Sequence, residues 1–132
     1  MANYLWIALG GALGTMGRYL VSGLVAQLIG ETFPWGTLLI NVTGSFIIGL
    51  FATLTGPDGR YFVGSTARQF VMTGMCGGYT TFSSFSLQTQ NLVNDGEWFY
   101  AGANVSLSVI LCLLAVWAGY ALGSALNAME WA

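Results

Sequence analysis

The chain has 132 residues, 55% of them hydrophobic and only 6% charged, with three arginines, no lysine, no histidine and a net charge of −2. A water-soluble domain carries about 25% charged residues, so this surface is not built for water, and without a basic patch nucleic acid finds no partner for its phosphates. With no histidine, no paired carboxylates inside an apolar stretch and no phosphate-cradling loop, neither acid–base nor His-based nucleophilic catalysis has its parts, which excludes an enzyme.

Residues 1–30 are uncharged but for Arg18, and the runs 32–57, 69–94 and 98–129 carry no charge at all. Each exceeds the roughly 20 residues that cross a hydrocarbon core as a helix. The spacing predicts an all-α membrane protein, one four-helix transmembrane domain over 1–132, with spans at 3–29, 35–55, 66–94 and 98–127. The opening MANYLWIALGGALG lacks the basic n-region and cleavage site of a secretory signal, so the first helix is expected to stay as a span. Turn chemistry marks the connections: GETFP at 30–34, GPDGR at 56–60 and NDGE at 94–97. Cys76 and Cys112 both fall inside spans, which favours buried thiols over a disulfide framework.

Small residues four apart, at Gly10/Gly14, Gly74/Gly78 and Gly119/Gly123, allow helix backbones to approach closely, within one subunit or between two. In a four-span chain both termini and the second loop share one side. That side holds Arg60 and Arg68, while Glu31, Asp95 and Glu97 mark the other. The positive-inside rule places the termini in the cytoplasm, although two arginines make a weak bias that is compatible with insertion in both orientations.

Three spans carry polar stripes. Thr37, Asn41 and Ser45 recur at i, i+4, i+8 on the second; Asn104, Ser108 and Cys112 do the same on the fourth. On the third, Thr81, Ser84, Gln88 and Asn91 form one line, with Phe82, Phe85 and Thr89 beside it. A single Ser or Thr in a span ordinarily bonds its own i−4 carbonyl, and a single Asn ordinarily glues helices together. Three aligned stripes of membrane length exceed what packing requires.

The stretch GGYTTFSSFS, residues 77–86, explains how they could be used. Gly77-Gly78 is expected to break the third helix at mid-membrane, leaving unpaired carbonyls before the break and unpaired N–H groups after it, with Thr80 or Thr81 as N-cap. Free carbonyls suit a hard cation such as Na⁺. The helix start, the hydroxyl donors and the electropositive phenyl edges suit an anion. A path with few fixed positive charges must strip water by neutral donors, which points to a small anion that accepts strong hydrogen bonds.

GGALGTMGRYL in the first helix, GTLLINVTGSFIIG in the second and TGMCGGYTTFSSFS in the third resemble the Fluc (CrcB) family of fluoride channels, and the similarity covers the whole chain. The resemblance implies a passive, fluoride-selective channel that exports fluoride from the cytoplasm across the bacterial inner membrane. It implies an antiparallel, dual-topology homodimer with two pores and a structural Na⁺ at its centre, held by the backbone carbonyls of Gly77 and Thr80 from both subunits. Phe82 and Phe85 would present ring edges to fluoride and Asn41 would donate its amide. Thr37, Ser83, Ser84, Asn104 and Ser108 would form polar tracks, with Arg18 near a pore vestibule. Three departures stand out: Gln88 where many members carry Glu, Leu111-Cys112 for a commoner Gly-Ser pair, and Tyr79 for a usual Leu.

Two other readings compete. A small dual-topology proton-coupled drug exporter needs a titratable group within the membrane, whereas Glu31, Asp58, Asp95, Glu97 and Glu130 all fall at expected loops or ends. A scaffold that only packs against a larger membrane partner would leave the hydroxyl stripes idle.

Overall fold

The computed structural model describes residues 2–129. All regular structure among them is helical: α1 (Ala2–Ile29), α2 (Trp35–Leu54), α3 (Ser65–Gln69), a π-helical segment (Phe70–Cys76), α4 (Gly77–Tyr79), α5 (Phe82–Asn94) and α6 (Trp98–Ala128). Three helices are long and apolar enough to cross a membrane, Asn3–Ile29, Trp35–Leu54 and Trp98–Ala128, with mean hydropathies of 1.2, 1.8 and 2.2. Their outer faces carry exposed leucines and aromatics such as Leu13, Leu20, Leu113 and Trp117, as a hydrocarbon solvent requires.

Two glycine seams bring these helices together. Along the first, α1 packs on the π-segment and α4; a Cβ built on Gly14 would lie 2.2 Å from the Met75 carbonyl oxygen, and one on Gly78 would lie 2.6 Å from that of Gly11. Along the second, α6 packs on α2, and a Cβ on Gly119 would lie 2.3 Å from the Phe46 oxygen. Lipid tails are as apolar as leucine, so close van der Waals approach, rather than expulsion of water, holds such helices together. All three glycine pairs seen in the sequence make intrachain contacts.

Polar side chains lock one end of the bundle. Arg68 donates to both the carbonyl and the hydroxyl oxygen of Thr55, the buried C-cap of α2. Asn127 Nδ2 donates to the Thr53 carbonyl (3.2 Å) while its Oδ1 accepts from Arg60 N–H (3.0 Å). Thr66 donates to Asn3 Oδ1 (2.8 Å). The first turn of α1, the last turns of α6 and the stretch from Thr55 to Arg68 therefore share one end.

The expected break at Gly77-Gly78 is not where the helical backbone stops. Gly77 is helical (φ −64°, ψ −36°) and begins α4; the interruption lies at Thr80 (φ −81°, ψ 158°) and Thr81 (φ −153°, ψ 117°). Packing decides this. Gly78 sits against the α1 backbone, where a Cβ would lie 2.6 Å from the Gly11 oxygen, so the approach needs a residue without a side chain. Thr81 is instead drawn into an extended conformation by a residue of another helix.

Candidate functional site

That residue is Asn41 on α2. Its Nδ2 donates to the Thr81 carbonyl (3.0 Å), and its Oδ1 accepts the Thr81 N–H (2.7 Å). One side chain thus takes both backbone polar groups of a non-helical residue, as a neighbouring strand would. Thr81 then serves as the N-cap of α5, its Oγ1 accepting from Ser84 N–H (3.1 Å) and donating to Ser84 Oγ (3.1 Å). Of the two sequence candidates for that role, Thr81 fills it. Thr80 belongs to the preceding turn, donating both its N–H and its Oγ1 to the Cys76 carbonyl at 2.9 Å.

The diverted hydrogen bonds have a consequence for two carbonyls. A continuous helix would give the Thr81 N–H to the Gly77 carbonyl and the Ser84 N–H to the Thr80 carbonyl. The first goes to Asn41 and the second to the Thr81 hydroxyl. Gly77 and Thr80, the two residues named for carbonyl ligation, each lose their helical donor, and both line the same cavity. Among the described residues no group of three His, Cys, Asp or Glu side chains comes together, so neutral oxygens are what this region offers a cation.

Two open cavities flank the interruption. The smaller, about 450 Å³, is lined by Asn41, Gly77, Thr80, Thr81, Phe82, Phe85 and Ser108 together with apolar neighbours. In it Phe85 is buried and Phe82 is 78% exposed, their ring centroids 5.2 Å apart at an interplanar angle of 53°. The two rings are tilted against each other rather than stacked, and an aromatic ring carries the positive end of its quadrupole at its edge. The larger, about 1120 Å³, is lined by Arg18, Thr37, Ser84, Gln88 and Asn91, again with Thr81, and reaches Glu31, Asp95 and Glu97 in the loops. Thr81 belongs to both linings.

The polar stripes are divided by this geometry. Thr37 turns to the larger cavity, Asn41 and Ser45 to the smaller; Ser108 and Cys112 line the smaller from α6. Ser83 lies outside both linings and meets the site through its hydroxyl, 3.2 Å from Thr81 Oγ1. Asn104 also lies outside: it is 1% exposed, donates to Thr89 Oγ1 (2.9 Å), and offers its Oδ1 to Ser108 at 3.5 Å. Asn41 spends one of its two amide hydrogens on Thr81, leaving one for any other acceptor. Arg18 lines the large cavity, and its carbonyl accepts from Ser22 Oγ (2.9 Å). Cys76 is buried and Cys112 half-buried, and both are free thiols.

Thr81 is the residue that reasoning from sequence undervalued, seen there only as a cap candidate and the first member of a stripe. Its signal was the pairing of a cap-forming residue with an asparagine on another span, and nothing in a linear pattern joins residues 40 positions apart.

Residues 5–120 match the family described as CrcB-like protein, Camphor Resistance (CrcB). The chain belongs to this family. It is 65% identical over 130 residues to the fluoride-specific ion channel FluC of Opitutus terrae, covering 98% of each chain. It is 59% identical over 128 residues to the protein of the same name from Methylocella silvestris, covering 97% of this chain and 98% of that one. For the one from Rhodospirillum rubrum the figures are 61% over 118 residues, 89% and 92%. The family is one of channels and not of enzymes, and with its long apolar helices the CrcB chain is a multi-pass membrane protein.

Proposed function

We propose that this CrcB protein is a fluoride-selective channel that lets fluoride leave the cytoplasm passively across the bacterial inner membrane. The observation that carries the reading is the Asn41–Thr81 exchange. It opens the helical backbone between two cavities, frees a capped helix start, and sets the Phe82 and Phe85 rings beside it. Residues 65–94 then form the third membrane crossing, as two helical halves joined at Thr80–Thr81. Fluoride accepts hydrogen bonds strongly, and a path of hydroxyls, an amide and phenyl edges replaces its water without a fixed charge to trap it. Chloride, a weaker acceptor, recovers less of its hydration from the same groups. Asn41, Phe82, Phe85 and Ser108 contact the ion on one side of Thr81, Thr37 and Ser84 on the other, with Arg18 drawing anions into the larger cavity. Ser83 and Asn104 act through the Thr81 and Ser108 hydroxyls.

The channel is an antiparallel homodimer with two pores. Both cavities lie open on the face of a single chain, and a second copy closes them; the weak loop-charge bias is what insertion in both orientations needs. The carbonyls of Gly77 and Thr80, deprived of their helical donors, would hold a structural Na⁺ together with the same pair from the second copy. A hard cation there would satisfy oxygens that hydrocarbon surroundings leave costly. No described carboxylate lies within a helix, since Glu31, Asp58, Asp95 and Glu97 all occupy connections and Glu130 falls outside the described residues. That speaks against proton-coupled drug export.

The test is efflux from liposomes loaded with fluoride or chloride, read with ion-selective electrodes after the membrane potential is collapsed. Rapid fluoride loss with chloride retained is expected. Retention of both ions by liposomes that contain folded protein would refute the channel, and loss of both would refute its selectivity.

A further inference from the structure

Resting on the channel reading and on the Na⁺ site proposed with it, we infer that Tyr79 is a positioning residue, whose phenol ties the first half of the third crossing to Thr43 on α2 and so sets the Thr80 carbonyl for the cation. Tyr79 is the last residue of α4, immediately before the interruption. Its hydroxyl lies 3.1 Å from Thr43 Oγ1. Thr43 has one hydroxyl hydrogen and a nearer acceptor for it, the Leu39 carbonyl of its own helix at 2.8 Å, so the phenol donates and Thr43 accepts. The ring fills the space between two spans: a Cβ built on Gly44 of α2 would lie 3.2 Å from Tyr79 Cδ1, and one on Gly17 of α1 would lie 3.7 Å from Cδ2.

This bond and the Asn41 clamp make a pair. Asn41 holds the residue after Thr80 and Thr43 the residue before it. Between them Thr80 rests on Gly44, where a Cβ would lie 2.3 Å from its Cγ2. Tyr79, Thr80 and Thr81 are thus registered against α2 by a hydroxyl, a glycine and an amide in succession. Thr80 is the residue whose carbonyl has lost its helical donor, the Ser84 N–H having gone to Thr81, and such a carbonyl keeps one direction only while the backbone on both sides of it is held. Beyond Thr80 the Asn41 clamp does this. Before it there is a single short turn, closed by the Thr80 N–H on the Cys76 carbonyl, and helix ends fray unless something secures them. Leucine, the usual residue of the family here, could fill the space between α1 and α2 but could not make the bond, so removing the hydroxyl should weaken the cation site rather than abolish it.

The experiment follows Tyr79→Phe and Thr43→Val beside the wild type, purified and in liposomes, with Na⁺ varied against N-methylglucamine at constant ionic strength. Phenylalanine keeps the ring and loses the donor; valine keeps the shape of threonine and loses the acceptor. One net hydrogen bond shifts an equilibrium roughly two- to tenfold, so each variant should need about two to ten times more Na⁺ for half-maximal fluoride efflux and reach wild-type efflux when Na⁺ saturates. Because Na⁺ then stabilises the variants less, their unfolding temperatures should fall further behind the wild type as Na⁺ rises. The double variant should shift no further than either single one, since both remove the same bond. A merely structural role lowers the unfolding temperature equally at every Na⁺ concentration; that result, or an unchanged Na⁺ requirement in Tyr79→Phe, would overturn the assignment. A wild type that conducts fluoride without regard to Na⁺ would remove the cation site and this role and leave the channel standing. One that conducts no fluoride would remove the channel and this role together.

Discussion

Asn41→Asp changes one atom of the clamp on Thr81 and is the sharpest test of how the interrupted backbone is held. The Thr81 N–H keeps an oxygen to donate to at 2.7 Å, but the Nδ2–H donor at 3.0 Å from the Thr81 carbonyl is replaced by a second oxygen. One hydrogen bond is lost and a buried carbonyl is orphaned, which costs about 1–3 kcal/mol, before any repulsion between the carboxylate and the carbonyl. Taking about 2 kcal/mol, the ratio of clamped to released Thr81 shifts roughly thirtyfold, since about 1.4 kcal/mol is a factor of ten. Fluoride efflux from liposomes should therefore fall at least about tenfold, and thermal unfolding in detergent should occur at a lower temperature. Asn41→Leu, which removes both bonds and adds no charge, separates the clamp from the electrostatics: it should lose flux and stability too. If Asn41→Asp and Asn41→Leu both conduct and unfold like the wild type, the clamp does not organise the path and the reasoning fails.

Phe82→Ile keeps apolar bulk but loses the electropositive ring edge, so fluoride efflux should drop more than tenfold with unfolding unchanged, and an unaltered rate would take this ring out of the path. Gly119→Val forces side-chain atoms into a space where even a Cβ lies 2.3 Å from the Phe46 oxygen; purified yield of monodisperse protein should collapse, and normal yield would show that the α2–α6 seam relaxes more easily than described. Exchanging Na⁺ for N-methylglucamine during purification should lower the unfolding temperature, by an amount equivalent to about 2.7 kcal/mol where Na⁺ had stood at a hundred times its dissociation constant. Indifference to the exchange would exclude the structural Na⁺.

The helices were legible because hydrocarbon imposes a rule that needs no tertiary knowledge: every backbone polar group must be satisfied within its own segment. Spans read at 35–55 and 98–127 differ by one residue from Trp35–Leu54 and Trp98–Ala128. The interruption was misplaced because Gly77 and Gly78 were weighed by intrinsic propensity, which charges about 1 kcal/mol for each glycine in a helix. Packing overrides it, since Gly78 meets Gly11 across a seam that any side chain would obstruct. The polar stripes picked out residues but not the grouping that the cavities give them. Periodicity assigns Thr37, Asn41 and Ser45 to one face, and only the docking of α5 decides that Thr37 turns to one cavity and the other two to its neighbour.

The same division explains why a chain so poor in charge can build a polar site in an apolar medium. A charged residue at mid-membrane is costly on its own, whereas backbone groups are present in every residue and need only be released from the helix. Asn41 releases two carbonyls, those of Gly77 and Thr80, by taking the Thr81 N–H and turning Thr81 into a cap that takes the Ser84 N–H. A single amide side chain, 40 positions from its target, thereby generates acceptors for a cation on one side of the interruption and a capped helix start on the other. The hydroxyls of Thr81 and Ser84 and the Phe82 and Phe85 rings follow in the next turn, so their positions depend on the same two hydrogen bonds. In the proposed channel the cation site and the anion path are coupled through Asn41, so a substitution there should weaken both Na⁺ stabilisation and fluoride flux, whereas Phe82→Ile should weaken only the flux.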